Sequence, residues 1–302
     1  LDIAPFDLVV INLYPFLKTI MSGASFAESI EQIDIGGPSM LRGAAKNHGS
    51  VAVLCHEHQY DAAIEAIKAG GFTAEERKAL ALEVFRTTAE YDLTIASWLG
   101  STISMDIPDW LGLIWKRQNT LRYGENPHQT GVFFGDFGKM FDKLCGKELS
   151  YNNLVDVDAA CGIIAEFTEP AFAVIKHTNV CGVAQRPAVK ESWDAALSGD
   201  PESAFGGVLV CNGEIDKATA EAINEIFFEV LIAPSFAADA LAVLKSKKNR
   251  ILLQLNKQPN TKEQYKSLLN GVLVQGTDEG NYTDWKETGG RETTAEEKED
   301  LV

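Results

Sequence analysis

The chain has 302 residues, is 45% hydrophobic and carries a net charge of −16. This suits a soluble globular protein of one to three domains and argues against nucleic acid or an acidic membrane as partners through bulk electrostatics. Its apolar runs fall short of the ~18 residues of a membrane span, and no basic segment precedes an apolar core, so no signal peptide is expected. Five scattered cysteines without a CxxC pair predict reduced thiols in a cytoplasm.

Taken in chain order, FDLVVINLYPF (6–16) predicts a buried strand closed by Pro15. Ser25 with Glu28 forms a capping box for a short helix to about Gln32. Gly36-Gly37-Pro38 and Gly49 bracket a helix near 39–47, and SVAVLC (50–55) predicts a second strand. Thr73 with Glu76 caps a long helix whose Leu80, Val84, Phe85, Leu93, Ile95 and Trp98 suggest a wide buried stripe. SMDIPDW (104–110) reads as a linker. LGLIW (111–115) follows as a strand, 121–131 as a loop and 131–137 as β-like. LSYNNLVDVDAACGIIAEF (149–167) is a loop entering a helix, and AFAVI (171–175) a strand. A short helix around Trp193 precedes a strand at FGGVLVCN (205–212), and Asp216 caps another helix. EVLIAP (229–234), RILLQL and GVLVQG (271–276) are strands, with a helix at ADALAVLKSKKN. Strands alternating with helices imply an α/β layer architecture. The charged tail is expected on the surface, and Thr294 with Glu297 announces a helix whose apolar pair is Leu301-Val302. A start within a strand and a stop within a helix suggest a fragment.

Four constellations could carry chemistry. Arg42 and Lys46 share a helix face, and free backbone N–H groups at Gly36 and Gly37 would make an anion site beside Asp34. A capped surface helix with solvated bases is the plainer alternative. Asn12 and Tyr14 follow a strand, where open α/β sheets collect ligands, although Tyr14 could simply cap the core. Arg122-Tyr123 with Asn126-Pro127-His128 crowd one loop, suited to a phosphate or a stacked heterocycle, or to an ordinary turn. Lys176-His177 ends an apolar strand. Free imidazole titrates near ~6.5 and a lysine near ~10.4, so one can accept a proton while the other donates or steadies an oxyanion. Asn179-Val180-Cys181-Gly182 reads as the turn that aims the pair. His177-x-x-x-Cys181 lacks the Glu and the Pro-Cys-x-x-Cys of a zinc deaminase, so no metal is expected.

NLYPF, EQIDIGG, RGAAKNH, LRYGENPHQ, SYNN, KHTNVCG, SAFGG and EVLIAP, in this order, resemble the bifunctional AICAR formyltransferase/IMP cyclohydrolase family over essentially the whole chain. The resemblance implies an α/β protein. Residues 1–104 would be the C-terminal part of a methylglyoxal-synthase-like IMP cyclohydrolase domain. Residues 105–302 would begin the AICAR transformylase domain with a cytidine-deaminase-like α/β unit that holds no zinc.

The resemblance also implies functional residues. Asn12, Tyr14, Asp34, Gly36 and Lys46 match the cyclohydrolase pocket, with Lys46, Asp34 and Tyr14 in catalytic positions. Lys176 and His177 match the proton-transfer pair of formyl transfer. Arg122, Tyr123, Asn153, Phe205, Gly206 and Glu229 match nucleotide-contacting positions. The implied small molecules are AICAR, FAICAR and IMP, with 10-formyltetrahydrofolate as cosubstrate and no bound cofactor. The implied setting is a cytoplasmic homodimer of the full-length protein, with no nucleic acid and no membrane. The family's N-terminal phosphate-binding loops and its second deaminase-like unit are missing from this sequence, so neither site would be complete and the chain alone is expected to be inactive. A non-catalytic nucleotide-binding or subunit-interaction module is the rival expectation.

Overall fold

The computed structural model describes residues 4–103, 110–258, 262–278, 280 and 286–300. The chain forms two compact units, residues 1–114 and 115–302. Apart from Trp110, the expected linker lies outside the described residues, as do the expected boundary at 104/105 and Leu301-Val302.

The first unit holds β1 (Leu8–Val10), α1 (Phe16–Met21), α2 (Phe26–Glu31), α3 (Gly36–Lys46), β2 (Ala52–Leu54), α4 (Tyr60–Lys68) and α5 (Ala74–Ser101). β1 and β2 pair in parallel, Leu8 opposite Ala52. β2 is buried throughout, whereas β1 is only half-buried and Val10 is exposed, so the first strand is not the buried one its composition suggests. Ser25 and Thr73 accept from Glu28 N and Glu76 N, closing the two capping boxes that fix the starts of α2 and α5. Leu41, Ala44 and Ala45 of α3 meet Val53, Cys55, Ala81 and Val84 in the core. The stripe on α5 is narrower than expected: Ala81, Val84 and Thr88 are buried, but Phe85 is exposed under the Arg42 guanidinium.

Residues 111–115, at the junction of the two units, are in irregular backbone, not the strand their apolar character suggests. β3 (Arg117–Thr120) pairs with β4 (Val132–Phe134) instead. Then come β5 (Phe141–Cys145), α6 (Tyr151–Ala165), β6 (Ala171–Lys176), β7 (Asn179–Gln185), α7 (Val189–Gly199), β8 (Val208–Cys211), α8 (Lys217–Asn224), β9 (Val230–Ala233), α9 (Ala238–Leu244) and β10 (Ile251–Leu255). β11 (Glu263–Leu268) and β12 (Gly271–Gly276) form an exposed hairpin, and α10 (Ala295–Asp300) starts at the Thr294 cap.

Six strands make the central sheet, in the order β5-β10-β9-β8-β6-β7. β8, β9 and β10 run parallel, while β6 is antiparallel to β8 and β5 to β10. Their continuous Val, Leu and Ile runs are what a sheet covered on both faces requires. Alternation along β6 sends Ala171, Ala173 and Ile175 toward α6, and Phe172 and Val174 toward Trp193 of α7, in two separate cores. At the Cys211 end of the sheet, the Asn212 amide accepts from Ala171 N and donates to the carbonyls of Phe167 and Glu169.

Candidate functional site

In the first unit, α3 begins at Gly36, with Gly37 and Pro38 inside it. The Asp34 carboxylate takes the Gly37 N–H at 2.7 Å. The fit is tight enough that a Cβ on Gly37 would lie 2.4 Å from Asp34 Oδ2. The Gly37 N–H is therefore not available to an exogenous anion, contrary to the sequence expectation: Asp34 itself is the anion at this terminus. Asp34 also receives Tyr14 N at 3.4 Å, and its own N–H donates to the Tyr91 hydroxyl at 2.8 Å. Burial pushes the Tyr91 phenol up, and the Asp34 and Asp92 charges add to that shift. Asn12 donates to the Tyr60 hydroxyl at 2.8 Å, joining the segments that follow the two parallel strands. Tyr14, Asp34, Gly36 and Gly37 thus gather at the start of α3, and Asn12 pairs with Tyr60. Lys46 is exposed in the last turn of that helix, with Arg42 one turn before it.

The second unit gathers its candidates at one end of the sheet. There β5 and β6 finish and β8, β9 and β10 begin. Lys176 closes β6, and its ammonium donates to the Phe205 carbonyl at 2.8 Å. Gly206 follows with φ +77°, a conformation glycine adopts without penalty, and its N–H bonds to Phe227 O at 2.7 Å. The exposed Phe205 ring leans on Phe227 at 5.4 Å. Glu229 N bonds to Gly207 O, and its carboxylate pairs with Lys147 at 2.5 Å.

The turn that aims Lys176 and His177 is not Asn179–Gly182. Those residues lie in β7, and Lys176 pairs directly with Asn179. The connection is His177-Thr178 alone, with φ +52° and +61°. Two-residue hairpins of this hand need positive φ at both central positions, usually met by Asn-Gly. An L residue held there costs about 1–2 kcal/mol, and a β-branched threonine is an outlier. Such strain persists only where surrounding bonds hold it. Here Asn179 Nδ2 and Thr178 Oγ1 both donate to His177 O, at 2.8 and 2.6 Å, and Thr178 N donates to Asp156 Oδ1 at 2.8 Å.

Asp156 lies on α6, which also organises the third cluster. Ser150 caps this helix and Asn153 occupies its third position, so the SYNN segment is the first turn of the helix and not a loop. Asn153 Oδ1 accepts from Ser150 N at 3.0 Å and from the Arg122 guanidinium at 3.4 Å. That guanidinium lies over the Tyr123 ring at 5.1 Å. One helix thus supports both Arg122-Tyr123 and the Lys176-His177 turn. Asp156, three residues after Asn153 and so on the same face, went unnoticed in the sequence. That spacing was the signal available.

Electrostatics draw the same neighbourhood. Hydrogen bonds from Ser203 hold the Asp200 carboxyl below the usual range, with a further contribution from the Lys176 charge. Burial pushes the Cys181 thiol up; Asp200 and Asp156 push the same way and Lys176 opposes them. All five cysteines are free thiols, and burial lifts Cys161 and Cys211 to about 12. Among the described residues, no group of three or more His, Cys, Asp or Glu could hold a metal, and no helix is long and apolar enough to cross a membrane.

A profile of the AICARFT/IMPCHase bienzyme family matches residues 44–302. A curated relative from Bacteroides thetaiotaomicron, named "Bifunctional purine biosynthesis protein PurH", is 47% identical over 100% of this chain and 59% of its own length. Proteins of the same name from Chloroflexus aurantiacus and from Bacillus cereus (strain B4264) are 49% and 46% identical. Both alignments cover 92% of this chain, and 55% and 56% of those proteins. The chain therefore spans a little over half the length of these relatives.

Proposed function

The chain belongs to the AICARFT/IMPCHase bienzyme family, and on that premise we propose that it is part of a bifunctional purine-biosynthesis enzyme. The parent protein transfers a formyl group from 10-formyltetrahydrofolate to AICAR, giving FAICAR, and then closes FAICAR to IMP with loss of water. In this reading residues 1–104 belong to a methylglyoxal-synthase-like cyclohydrolase domain. Residues 105–302 belong to a transformylase domain and contain a cytidine-deaminase-like α/β unit. The parent works as a cytoplasmic homodimer with transformylase sites shared between subunits. The shortfall in length supports the expectation that this chain alone turns over neither substrate.

In formyl transfer, the AICAR 5-amino nitrogen attacks the formyl carbon and His177 takes the proton it loses. Lys176 steadies the tetrahedral oxyanion and helps protonate the folate nitrogen as the C–N bond breaks, releasing tetrahydrofolate. Arg122 and Tyr123 take the nucleotide phosphate or ring, with Asn153, Phe205, Gly206 and Glu229 as further nucleotide contacts. In ring closure, the carboxamide nitrogen attacks the formyl carbon of the same molecule, so positioning supplies much of the rate. Lys46 and Tyr14 stabilise the oxyanion and supply the proton with which the resulting hydroxyl leaves as water, the Asp34 carboxylate accepts the proton lost by the carboxamide nitrogen, and Asn12 and the backbone at Gly36 hold the nucleotide.

One observation carries this reading: the second-unit candidates converge on a single end of the sheet, Lys176 bonded to the Phe205 carbonyl beside Gly206, with the strained turn next to it. The test is formyl transfer by the parent protein carrying Lys176→Ala or His177→Ala. Loss of roughly 100-fold or more in kcat is expected for removal of a proton-transfer group. A non-catalytic binding or subunit-interaction module predicts unchanged turnover. Robust formyl transfer or ring closure by the purified 302-residue chain would overturn the fragment reading.

A further inference from the structure

We infer that Asp156 is a positioning residue for formyl transfer: it holds the His177-Thr178 turn in its left-handed conformation and so aims the His177 imidazole and the Lys176 ammonium. The inference rests on the roles proposed for those two residues.

The turn carries an unusual demand. Both of its residues have positive φ and neither is glycine. Histidine tolerates this region better than most residues, but a β-branched threonine does not, so surrounding bonds must hold Thr178 there. The bonds from Thr178 Oγ1 and Asn179 Nδ2 to His177 O lie within the hairpin and travel with it. The bond from Thr178 N to Asp156 Oδ1 ties the turn to α6. α6 is the stiffer element: it is capped at Ser150, and Val157, Ala160, Cys161 and Ile164 pack it onto the sheet. The acceptor is a half-buried carboxylate, which makes the bond to the backbone N–H charge-assisted.

Lys176 reaches Phe205 O from the strand end, and His177 is exposed at the turn. Without the anchor the tip can fray at the Lys176–Asn179 pair, which swings the Cα–Cβ bond of His177 while the rest of the β6–β7 ladder, from Ala171 to Ile175, stays paired. The loss should therefore fall on the chemical step and not on the fold. Asn153, three residues earlier on the same helix, bonds Arg122, so the anchor also fixes the turn relative to the proposed nucleotide contacts.

The experiment compares Asp156→Ala and Asp156→Asn in the parent protein, reading amide exchange across 176–180 together with kcat and KM for AICAR. Asp156→Ala should speed exchange at the turn by roughly tenfold or more, as expected when a charged hydrogen bond is lost. It should also lower kcat by roughly 10- to 100-fold with KM little changed, the signature of misaimed reacting groups. Asp156→Asn keeps an acceptor oxygen and should restore most of both. If the alanine variant does not fold, Asp156→Glu, which keeps the charge but displaces the oxygen by one methylene, should show the same paired losses. Unchanged exchange in the variant overturns the inference. So does faster exchange with unchanged kcat while His177→Ala abolishes transfer. A fully active His177→Ala would instead remove the formyl-transfer reading, leaving exchange to decide whether Asp156 holds the turn.

Discussion

Replacing Gly182 with alanine should destabilise the second unit while leaving the His177-Thr178 turn in place. Gly182 does not adopt a left-handed φ, so the argument is purely steric. A Cβ built there would lie 1.9 Å from Ala196 O and 2.9 Å from Ala196 C, in the backbone of α7. Gly199 makes the reciprocal approach, its Cβ position lying 3.1 Å from Cys181 O. Relief needs α7 to back away from β7 by more than an ångström. Trp193, buried against Phe172 at 5.0 Å, resists that movement. Overpacking costs about 1–3 kcal/mol, and a clash with helix backbone belongs at the upper end. The lower entropy of an unfolded alanine returns about 0.4–1 kcal/mol. A net loss of about 2–3 kcal/mol lowers Tm by roughly 4–12 °C for a unit of this size. Urea unfolding followed by circular dichroism reads it as a lower midpoint with unchanged slope. A midpoint equal to or above that of the wild type would refute the close approach, and with it the assignment of this glycine to packing instead of a turn.

Asp34→Ala should cost about 1 kcal/mol in stability through the uncapped start of α3, whatever it does to ring closure, and thermal unfolding of the isolated variant measures this. The buried thiols give a pH dependence. An unfolded cysteine releases its proton near ~8.5, whereas folded Cys161 and Cys211 hold theirs to about 12. Between those limits the folded state binds more protons, so stability falls as pH rises through the window. Cys161→Ala should flatten that alkaline loss in urea midpoints measured across the window. In the folded protein near neutral pH, alkylation should spare both thiols.

Much of the layout could be read from residue pattern. Capping boxes at Ser25, Thr73 and Thr294 marked true helix starts, because a side chain that satisfies a terminal N–H does so locally. The strands at 171–175 and 229–234 were legible because burial on both faces demands unbroken apolar runs. LGLIW has the same composition and no strand, since a strand needs a partner that sequence does not display. β11, with Glu, Gln, Lys and Ser exposed along it, had no periodicity to find. At the candidate site, the place of Lys176-His177 at a strand end could be read from two bases closing an apolar run. Its geometry could not, because His-Thr lacks the Asn-Gly chemistry that announces such a turn. The glycines before α3 suggested free N–H groups for an anion, yet the one at Gly37 is taken by Asp34, which is visible only once the carboxylate meets Gly37 N. Asp156 and Lys147 become meaningful only through long-range contacts.

Asn212 gives the central sheet a polarity of use. Open α/β sheets generally receive ligands beyond the carboxyl ends of their strands. Here that end of β8 is sutured: one amide group stitches β8 to the start of β6 and to the segment leaving α6. Foreign sequence spliced beside Asn212 would unpick three backbone partners at once. The opposite end carries the glycines, the bent turn and the displayed charges. The carboxyl end of β8 is thus given over to closure, and the candidate site lies at the opposite end, beyond the amino ends of β8, β9 and β10.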